Sequence, residues 1–358
     1  MSEQTPRTDN EVGMVTVPAP APGGPGTGRE RGNPVGRFLS GAGGRSIGLV
    51  IALLVLFIIG TITAGDRFAN VDNVLTIIRF ASITGVISIG MTFVITAGGI
   101  DLSVGSVLGL TTVVATLSWV QAFASSTSWV VMVIIALAVG AGAGAINGVV
   151  IAYGNVVAFI ATLAMLVAAR GLAEVLANRT TQIVNEQGFL SFFRSDILGI
   201  PILIWIFVLV VVAGWFLLNR TTFGRRTVAI GGNIEAARLA GIKVKRHMMS
   251  LYILSGVTAG IAGLMMLGRT TAGTSTHGQL YELDAIAAVV VGGTLLIGGR
   301  GTIMGTVLGV LIFATLTNVF TQNNLSTSVQ AIAKGVIIVL AVMLQQRFAS
   351  RAKARKSV

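Results

Sequence analysis

Long apolar runs separated by short polar segments make up most of the chain between residues 47 and 345. A helix needs about 20 predominantly apolar residues to cross the hydrocarbon core of a bilayer, and by this criterion the pattern predicts about ten membrane-spanning helices. Their expected ranges are 47–65, 75–97, 100–119, 129–152, 156–177, 199–218, 248–268, 284–298, 302–321 and 328–345. The eighth range is short and interrupted by glycine, so roughly eight or nine spans also fit.

Both ends of the chain and one internal segment lack this pattern. Residues 1–46 are rich in Pro and Gly and show no apolar periodicity, which predicts a disordered cytoplasmic tail. Residues 346–358 form a basic C-terminal tail, and residues 219–247 form a long loop between two spans. The expected organisation is therefore a membrane domain at 47–345, with a tail on either side.

The composition agrees with an all-α polytopic membrane bundle. Hydrophobic residues make up 53% of the chain and charged residues only 11%, against roughly 25% charged in soluble domains. The net charge of +12 lies entirely in the segments 1–46, 219–247 and 346–358, which carry five, seven and five basic residues against four, one and no acidic ones. Loops that face the cytoplasm carry such an excess. The pattern places all three segments inside and argues against a nucleic-acid-binding protein.

Several kinds of chemistry are excluded by the residues themselves. The chain has no cysteine and only two histidines, and no Gly-Lys dipeptide from which a phosphate-binding Walker A loop could be built. No catalytic nucleophile paired with a base is visible, and the two histidines form no metal motif. We expect no enzyme activity, metal ion or cofactor in this chain. If ATP drives it, a separate subunit must hydrolyse the ATP.

A few ionisable residues interrupt the predicted spans, where a charge is costly without a partner. Arg170 and Glu174 lie four residues apart and are expected to pair on one helix face. Asp101 follows the pair Gly98–Gly99 and leaves two alternatives open. Either the glycines form an inner turn and Asp101 or Ser103 caps the next helix, or the helix breaks inside the bilayer and Asp101 lines a pathway.

Glycine suggests close packing and an internal duplication. Glycines spaced for close helix contact within predicted spans are Gly140, Gly142, Gly144, Gly256, Gly260, Gly305 and Gly309. A second pattern is a repeat of glycine positions at an offset of 200 residues. The glycines at 98, 99, 105 and 109 recur at 298, 299, 305 and 309, which predicts a duplicated helix unit with both copies in one orientation.

The loop 219–247 contains the stretch "IEAARLAGI", which predicts a short amphipathic helix between breaks at Gly232 and Gly241. Its apolar positions are Ile234, Ala237, Leu239 and Ile242. Such a helix can serve as a docking element for another protein. It can equally lie on the lipid surface, held by the basic residues around it.

Four blocks resemble the ribose-type sugar permeases, the membrane subunits of bacterial ATP-binding-cassette importers for monosaccharides. They are "SIGMTFVITAGGIDLSVGSVLGL" (88–110), "GNVVAFIATLAMLVAARGL" (154–172), "GRRTVAIGGNIEAARLAGIKV" (224–244) and "YELDAIAAVVVGGTLLIGGRGTIMGTVLG" (281–309). The resemblance covers about residues 46–345 in register. It implies a type II-importer-like permease in the bacterial plasma membrane, with both termini cytoplasmic, that imports a monosaccharide by alternating access.

The resemblance also implies partners and site residues. The expected partners are a second permease copy, a cytoplasmic ATPase with two nucleotide-binding domains that carries ATP and Mg²⁺, an extracytoplasmic sugar-binding protein, the sugar and membrane lipid. The implied ATPase-coupling residues are Gly232, Asn233, Glu235, Ala236, Ala237, Arg238 and Gly241. Candidate residues of the translocation pathway are Thr92, Asp101, Ser103, Asn147 and Asn318, each of which can alternatively hold helices together.

Two rival functions stay open at this stage. One is an importer subunit of similar build for another solute, such as a branched-chain amino acid or a nucleoside. The other is a secondary transporter that works alone. The motifs do not choose among individual sugars.

Overall fold

The computed structural model describes residues 42–337 together with 339 and 343. The predicted C-terminal tail, most of the predicted N-terminal tail and the second half of the predicted last span lie outside the described residues. The helices are α1 (Ala42–Ala64), α2 (Val71–Thr96), α3 (Val104–Ala115), α4 (Ser118–Ser126), α5 (Val130–Ala152), α6 (Ala158–Leu176), α7 (Gln187–Phe193), α8 (Ile202–Arg220), α9 (Thr222–Gly232), α10 (Ile234–Leu239), α11 (Val244–Thr270), α12 (Tyr281–Val291), α13 (Ile303–Gln322) and α14, which begins at residue 327.

The remaining regular structure is small. A single 3₁₀ turn, Gly65–Arg67, follows α1, which itself begins at Ala42, within the predicted N-terminal tail. Strands β1 (Gln182–Ile183) and β4 (Ala272–Gly273) pair antiparallel, and so do β2 (Asp196–Ile197) and β3 (Ile200–Pro201). The all-α polytopic class expected from the apolar pattern is confirmed.

The span count of ten is not confirmed. Within the described residues, seven helices are long and apolar enough to cross a membrane, and the bent pair α3–α4 makes an eighth if it is one span. The predicted span 100–119 is replaced by this pair, whose helices meet at 58°. The predicted span 284–298 overlaps the 11-residue helix α12, which begins at Tyr281 and is about 16 Å long at 1.5 Å per residue. That length is about half of a bilayer crossing.

Helix α11 lies at the centre of the bundle and packs against α2, α3 and α5. Its contact with α5 is a close backbone approach, because a Cβ atom placed on Gly140 would collide with the carbonyl oxygen of Gly256, and a Cβ on Gly256 with that of Gly140. Gly144 lies equally close to the backbone of Tyr252. The prediction of tight glycine packing is confirmed here, except at Gly142, which has open space around it.

The loop between α11 and α12, residues 271–280, lies along α3. Gly278 packs on the backbone of Gly105, and the carbonyl oxygen of His277 lies 2.8 Å from where a Cβ of Gly109 would stand. Because neither glycine of α3 carries a side chain, the loop backbone lies directly against the helix.

Both copies of the predicted duplication have the same local form. Gly98 and Gly298 adopt left-handed φ angles of +86° and +83° in the turns that precede α3 and α13. The matching glycines one turn into each helix, Gly105 and Gly305, each press against a neighbouring backbone, at the carbonyl oxygens of Gly278 and Gly292. These shared features support the duplication inferred from the 200-residue offset.

Candidate functional site

The predicted coupling segment contains the expected short helix. Asn233 caps α10 by accepting a hydrogen bond from the backbone N–H of Ala236 at 3.0 Å. The helix ends at Gly241, whose φ of +81° allows the N–H of Ile242 to reach the carbonyl of Ala237 at 3.1 Å. This left-handed ending is the one that glycine after a helix favours. The predicted break at Gly241 is therefore confirmed, and the break before α10 lies at Asn233.

Only one face of α10 is covered. Ala237 is buried with Ile230 and Val244 in a small apolar cluster. The other predicted coupling residues, Gly232, Asn233, Glu235, Ala236, Arg238 and Gly241, are exposed. Arg238 and Glu235 form an ion pair at 3.3 Å, and both side chains are exposed. The pair therefore contributes little stability.

Two apolar residues of α10 are exposed. Leu239 has 89% of its surface exposed, and Ile234, at the other end of the helix, has 46%. The sequence pattern predicted both as apolar positions of the helix without deciding what covers them. In the structure, only Ala237 of α10 is buried. An exposed apolar pair on a capped helix is suited to contact with another surface.

Three candidate pathway residues belong to one buried hydrogen-bond network. Asp101, 1% exposed, accepts bonds from the backbone N–H and hydroxyl of Ser103 at 3.0 and 2.6 Å and from the hydroxyl of Ser255 at 2.8 Å. The amide of Asn147 donates to the Ser103 hydroxyl at 2.9 Å. The network therefore joins the turn before α3 to α11 and α5. Asp101 bonds within the turn before α3, and the N-cap residue Ser103 makes no side-chain capping bond to the helix.

Thr92 lies elsewhere in the core. Its hydroxyl is 2.8 Å from that of Thr306 and also bonds to the backbone carbonyl of Ser88 at 2.7 Å. The contact joins α2 to α13. Whether Thr92, Asp101, Ser103 and Asn147 line a pathway stays a prediction; in this structure each of them holds helices together.

Asn318, the fifth candidate, lies in a cavity of about 610 Å³ formed by α2, α12, α13 and α14. The cavity is near the start of α2 and the end of α13. Its side chains include amides, hydroxyls and aromatic rings. They are Asn70, Asn73, Thr76, Phe80, Thr84, Tyr281, Phe313, Thr317, Asn318, Thr321, Gln322, Thr327 and Gln330, with Arg67, Asp72, Asp284 and Lys334 as the charged members.

Amide groups cross-link the wall of this cavity. Asn73 donates to the side-chain oxygen of Asn318 at 3.1 Å and accepts from its amide nitrogen at 2.8 Å. Gln322 donates to the same oxygen of Asn73 at 3.0 Å. On the other side, Lys334 pairs with Asp284 at 3.0 Å, with about a fifth of each side chain exposed.

Sequence analysis found Asn318 but missed its partners. Asn73 lies two residues before the predicted second span, so it was assigned to a loop. Asp284 and Lys334 lie 50 positions apart, so no local spacing in the sequence indicates their pairing. Asn73 lies 23 residues before Thr96, the last residue of α2, which is about 35 Å along the helix, so the cavity and the network of Asp101 lie near opposite ends of α2.

The expected pair of Arg170 and Glu174 is replaced by other contacts. Glu174 pairs with Arg179 at 3.5 Å. Arg170 donates instead to the backbone carbonyls of Ser275 and His277, the latter at 2.8 Å. The guanidinium thus fastens the loop 271–280 to α6.

Within the described residues, no group of three or more His, Cys, Asp and Glu side chains is arranged to hold a metal ion. The two features that can support a function are therefore the polar cavity at one end of the bundle and the exposed helix α10.

Comparisons with known proteins bear on the function of the chain as a whole. A family described as branched-chain amino acid transport system, permease component, matches residues 73–343. The ribose import permease protein RbsC of Bacillus subtilis is 43% identical over 305 residues, which cover 85% of this chain and 93% of that protein. The protein of the same name in Escherichia coli is 41% identical over 302 residues, covering 83% and 92%.

A third relative acts on another sugar. The xylose transport system permease protein XylH of Escherichia coli is 32% identical over an alignment of 359 positions, which covers 83% of this chain and 90% of that protein. No solved structure matches the chain.

Proposed function

The chain belongs to the family of branched-chain amino acid transport system permease components, and we propose that it is the membrane subunit of an ATP-binding-cassette importer for a monosaccharide of the ribose type. The observation that carries this proposal is the 43% identity to a ribose import permease across 85% of the chain. The relatives act on pentoses, so ribose is the first solute to test.

The cavity around Asn318 suits an uncharged, hydroxyl-rich solute. Amides and hydroxyls on its walls can donate and accept hydrogen bonds, and Phe80 and Phe313 offer apolar ring faces. Asp284 and Lys334 compensate each other at 3.0 Å, so the pair adds no net charge to the cavity. We propose that this cavity is the part of the translocation pathway that receives the sugar.

The exposed face of α10 is proposed as the docking site of a cytoplasmic ATPase with two nucleotide-binding domains. The residues that would meet it are Gly232, Asn233, Glu235, Ala236, Arg238 and Gly241 together with Leu239, and Ala237 positions them from below. ATP and Mg²⁺ would be held by that partner. This chain itself would bind no cofactor and catalyse no reaction.

The proposed assembly contains two copies of this chain and an extracytoplasmic sugar-binding protein. It lies in the bacterial plasma membrane with both termini and the segment 219–247 in the cytoplasm. The charge distribution supports this orientation, since the basic excess is confined to those three segments.

Import of a branched-chain amino acid is the second candidate, because the matching family carries that description. A zwitterion needs a separate partner for each of its charges. In the cavity, Asp284 and Lys334 are already paired with each other. Arg67 and Asp72 also line it, so we favour the sugar on the identity to the ribose and xylose permeases.

Reconstitution in liposomes tests the proposal. The permease, its ATPase and its binding protein should take up radiolabelled ribose only with ATP, with excess leucine or uridine leaving uptake unchanged. Uptake of radiolabelled leucine under the same conditions, with no uptake of ribose, would replace the sugar by the amino acid. Ribose uptake by the permease alone, without ATP, would instead identify a secondary transporter.

A further inference from the structure

Three glycine pairs that are far apart in the chain meet at one point of the fold. They are Gly98–Gly99 after α2, Gly231–Gly232 at the end of α9, and Gly298–Gly299 before α13. We call this meeting point the glycine junction. It lies at the end of the bundle opposite to the cavity, since the cavity contains the start of α2 and the junction contains its end.

The junction is a contact between backbones. The N–H of Gly299 donates to the carbonyl of Thr96, the last residue of α2, at 2.9 Å. A Cβ on Gly231 would collide with that same carbonyl and would stand 2.5 Å from the nitrogen of Gly299. A Cβ on Gly298 would stand 2.9 Å from the nitrogen of Gly98. A Cβ on Gly231 or Gly298 would therefore displace a neighbouring backbone, and one on Gly299 would stand 3.1 Å from the Cα of Gly232, whereas Gly232 itself has open space.

The three segments belong to elements with different tasks in the proposed importer. The Gly231–Gly232 pair ends α9, and α10 with its exposed Leu239 follows at once. The other two pairs hold the end of α2 and the turn before α13, two helices whose far ends wall the cavity.

We propose that the glycine junction is the coupling contact of the transporter, through which displacement of α10 by the ATPase is passed to α2 and α13. Gly231 is then a positioning residue, acting through the backbones of residues 96 and 299. Close backbone packing suits this task, because contacts without flexible side chains shift as one body instead of absorbing the displacement by rotamer changes. The proposal rests on the importer function proposed above.

The first test is Gly231→Ala, with Gly142→Ala as its control, since both glycines lie in helices and Gly142 has open space around it. In liposomes with the ATPase and the binding protein, Gly231→Ala should lower ATP-driven ribose uptake at least about tenfold. The permease should still co-purify with the ATPase, and the ATPase should keep its unstimulated rate. Uptake equal to that of Gly142→Ala would overturn the proposal.

A second variant decides the matter if Gly231→Ala does not assemble. Gly98 has a left-handed φ of +86°, and a Cβ placed on it would stand 3.8 Å from the nearest atom, the carbonyl oxygen of Ile297. Gly98→Ala therefore strains the backbone of the turn without a collision. Gly65→Ala imposes left-handed strain at the opposite end, with φ +56° and open space. We expect uptake to fall several-fold for Gly98→Ala and to stay near wild type for Gly65→Ala. Equal uptake by these two variants would contradict the coupling role.

A readout without sugar separates this proposal from the importer proposal. Because the natural chain lacks cysteine, a single Thr76→Cys reports on the cavity by its rate of labelling with a water-soluble maleimide. ATP should change that rate in the complex with Gly142→Ala and leave it unchanged with Gly231→Ala. If ATP changes the labelling rate in the otherwise wild-type complex but the complex takes up no ribose, the proposal that ribose is the solute is refuted, and the coupling role of the junction is not. An ATP response that survives Gly231→Ala would refute the junction itself.

Discussion

Asp101 offers a sharp test of whether a buried carboxylate serves structure or transport. Its two oxygens accept three hydrogen bonds, from the Ser103 N–H, the Ser103 hydroxyl and the Ser255 hydroxyl. Asp101→Ala leaves these donors buried without their acceptor. Each such group costs about 1–3 kcal/mol. The two hydroxyls can rotate toward other acceptors, so we expect a total loss of about 3 kcal/mol.

Asp101→Asn should behave differently, because one amide oxygen can still accept both bonds from Ser103 and the amide nitrogen can donate to the Ser255 hydroxyl. The expected cost is about 1 kcal/mol or less. For domains of 150–250 residues, 3 kcal/mol corresponds to roughly 6–12 °C in Tm. Thermal unfolding in detergent should therefore rank wild type and Asp101→Asn close together, with Asp101→Ala well below.

The control is Asp196→Ala, which removes an exposed carboxylate from the β2–β3 hairpin and should leave Tm unchanged. Ribose uptake by Asp101→Asn should stay near wild type. If that variant keeps its Tm but loses uptake, the charge itself takes part in transport, and the assignment of Asp101 to helix packing is wrong.

Three further changes test the docking helix, the cavity and the loop. Leu239→Asp should abolish co-purification with the ATPase while Tm is unchanged, because the side chain is 89% exposed and has no buried contacts to lose. Asn318→Leu removes the amide that bonds to Asn73 and should raise the KM for ribose about tenfold, a loss of about 1.4 kcal/mol in binding. Arg170→Met removes the donor to two loop carbonyls and should lower stability by about 2 kcal/mol, measured by thermal unfolding.

Matched variants separate these effects from general damage. Leu198→Asp, 88% exposed in the hairpin turn, should leave ATPase binding intact, and its failure to do so would make the Leu239 result uninformative about docking. Thr61→Leu, outside the cavity and with its hydroxyl bonded only within α1, should keep the wild-type KM. Arg179→Met removes only an exposed pair, so a Tm loss as large as that of Arg170→Met would contradict the role of the loop contacts.

The apolar pattern predicted the long helices well because each one is a run of 19 to 27 residues with few charges, whether it faces outward or, like α11, lies inside the bundle. It failed at 284–298, where the structure has the 11-residue helix α12 (Tyr281–Val291) followed by turns. Ala285, Ala288 and Val289 of α12 are buried in the bundle, and backbone at membrane depth needs no continuous helix where protein surrounds it. Apolarity alone does not distinguish residues buried in protein from residues facing lipid.

The polar contacts were less predictable than the helices. Arg170 and Glu174 have the spacing of a helix pair, yet a pair exposed to solvent yields little energy. The guanidinium instead donates to the carbonyls of Ser275 and His277, because hydrogen bonds from a charged group contribute more than an exposed ion pair. Whether Arg170 pairs with Glu174 or bonds to the loop carbonyls depends on a loop about a hundred residues away in the chain. A single sequence does not show that this loop lies next to Arg170.

The duplicated glycines show where such inference ends. Gly105 and Gly305 occupy equivalent places in their helices, and both lie against a backbone that allows no side chain. Their neighbours differ in form, because Gly278 belongs to an irregular loop and Gly292 follows directly on helix α12. A glycine on a helix specifies that something approaches closely, and it does not specify the conformation of what approaches. The repeat is therefore visible in the sequence, whereas the two different surfaces against which its copies pack are properties of the folded chain.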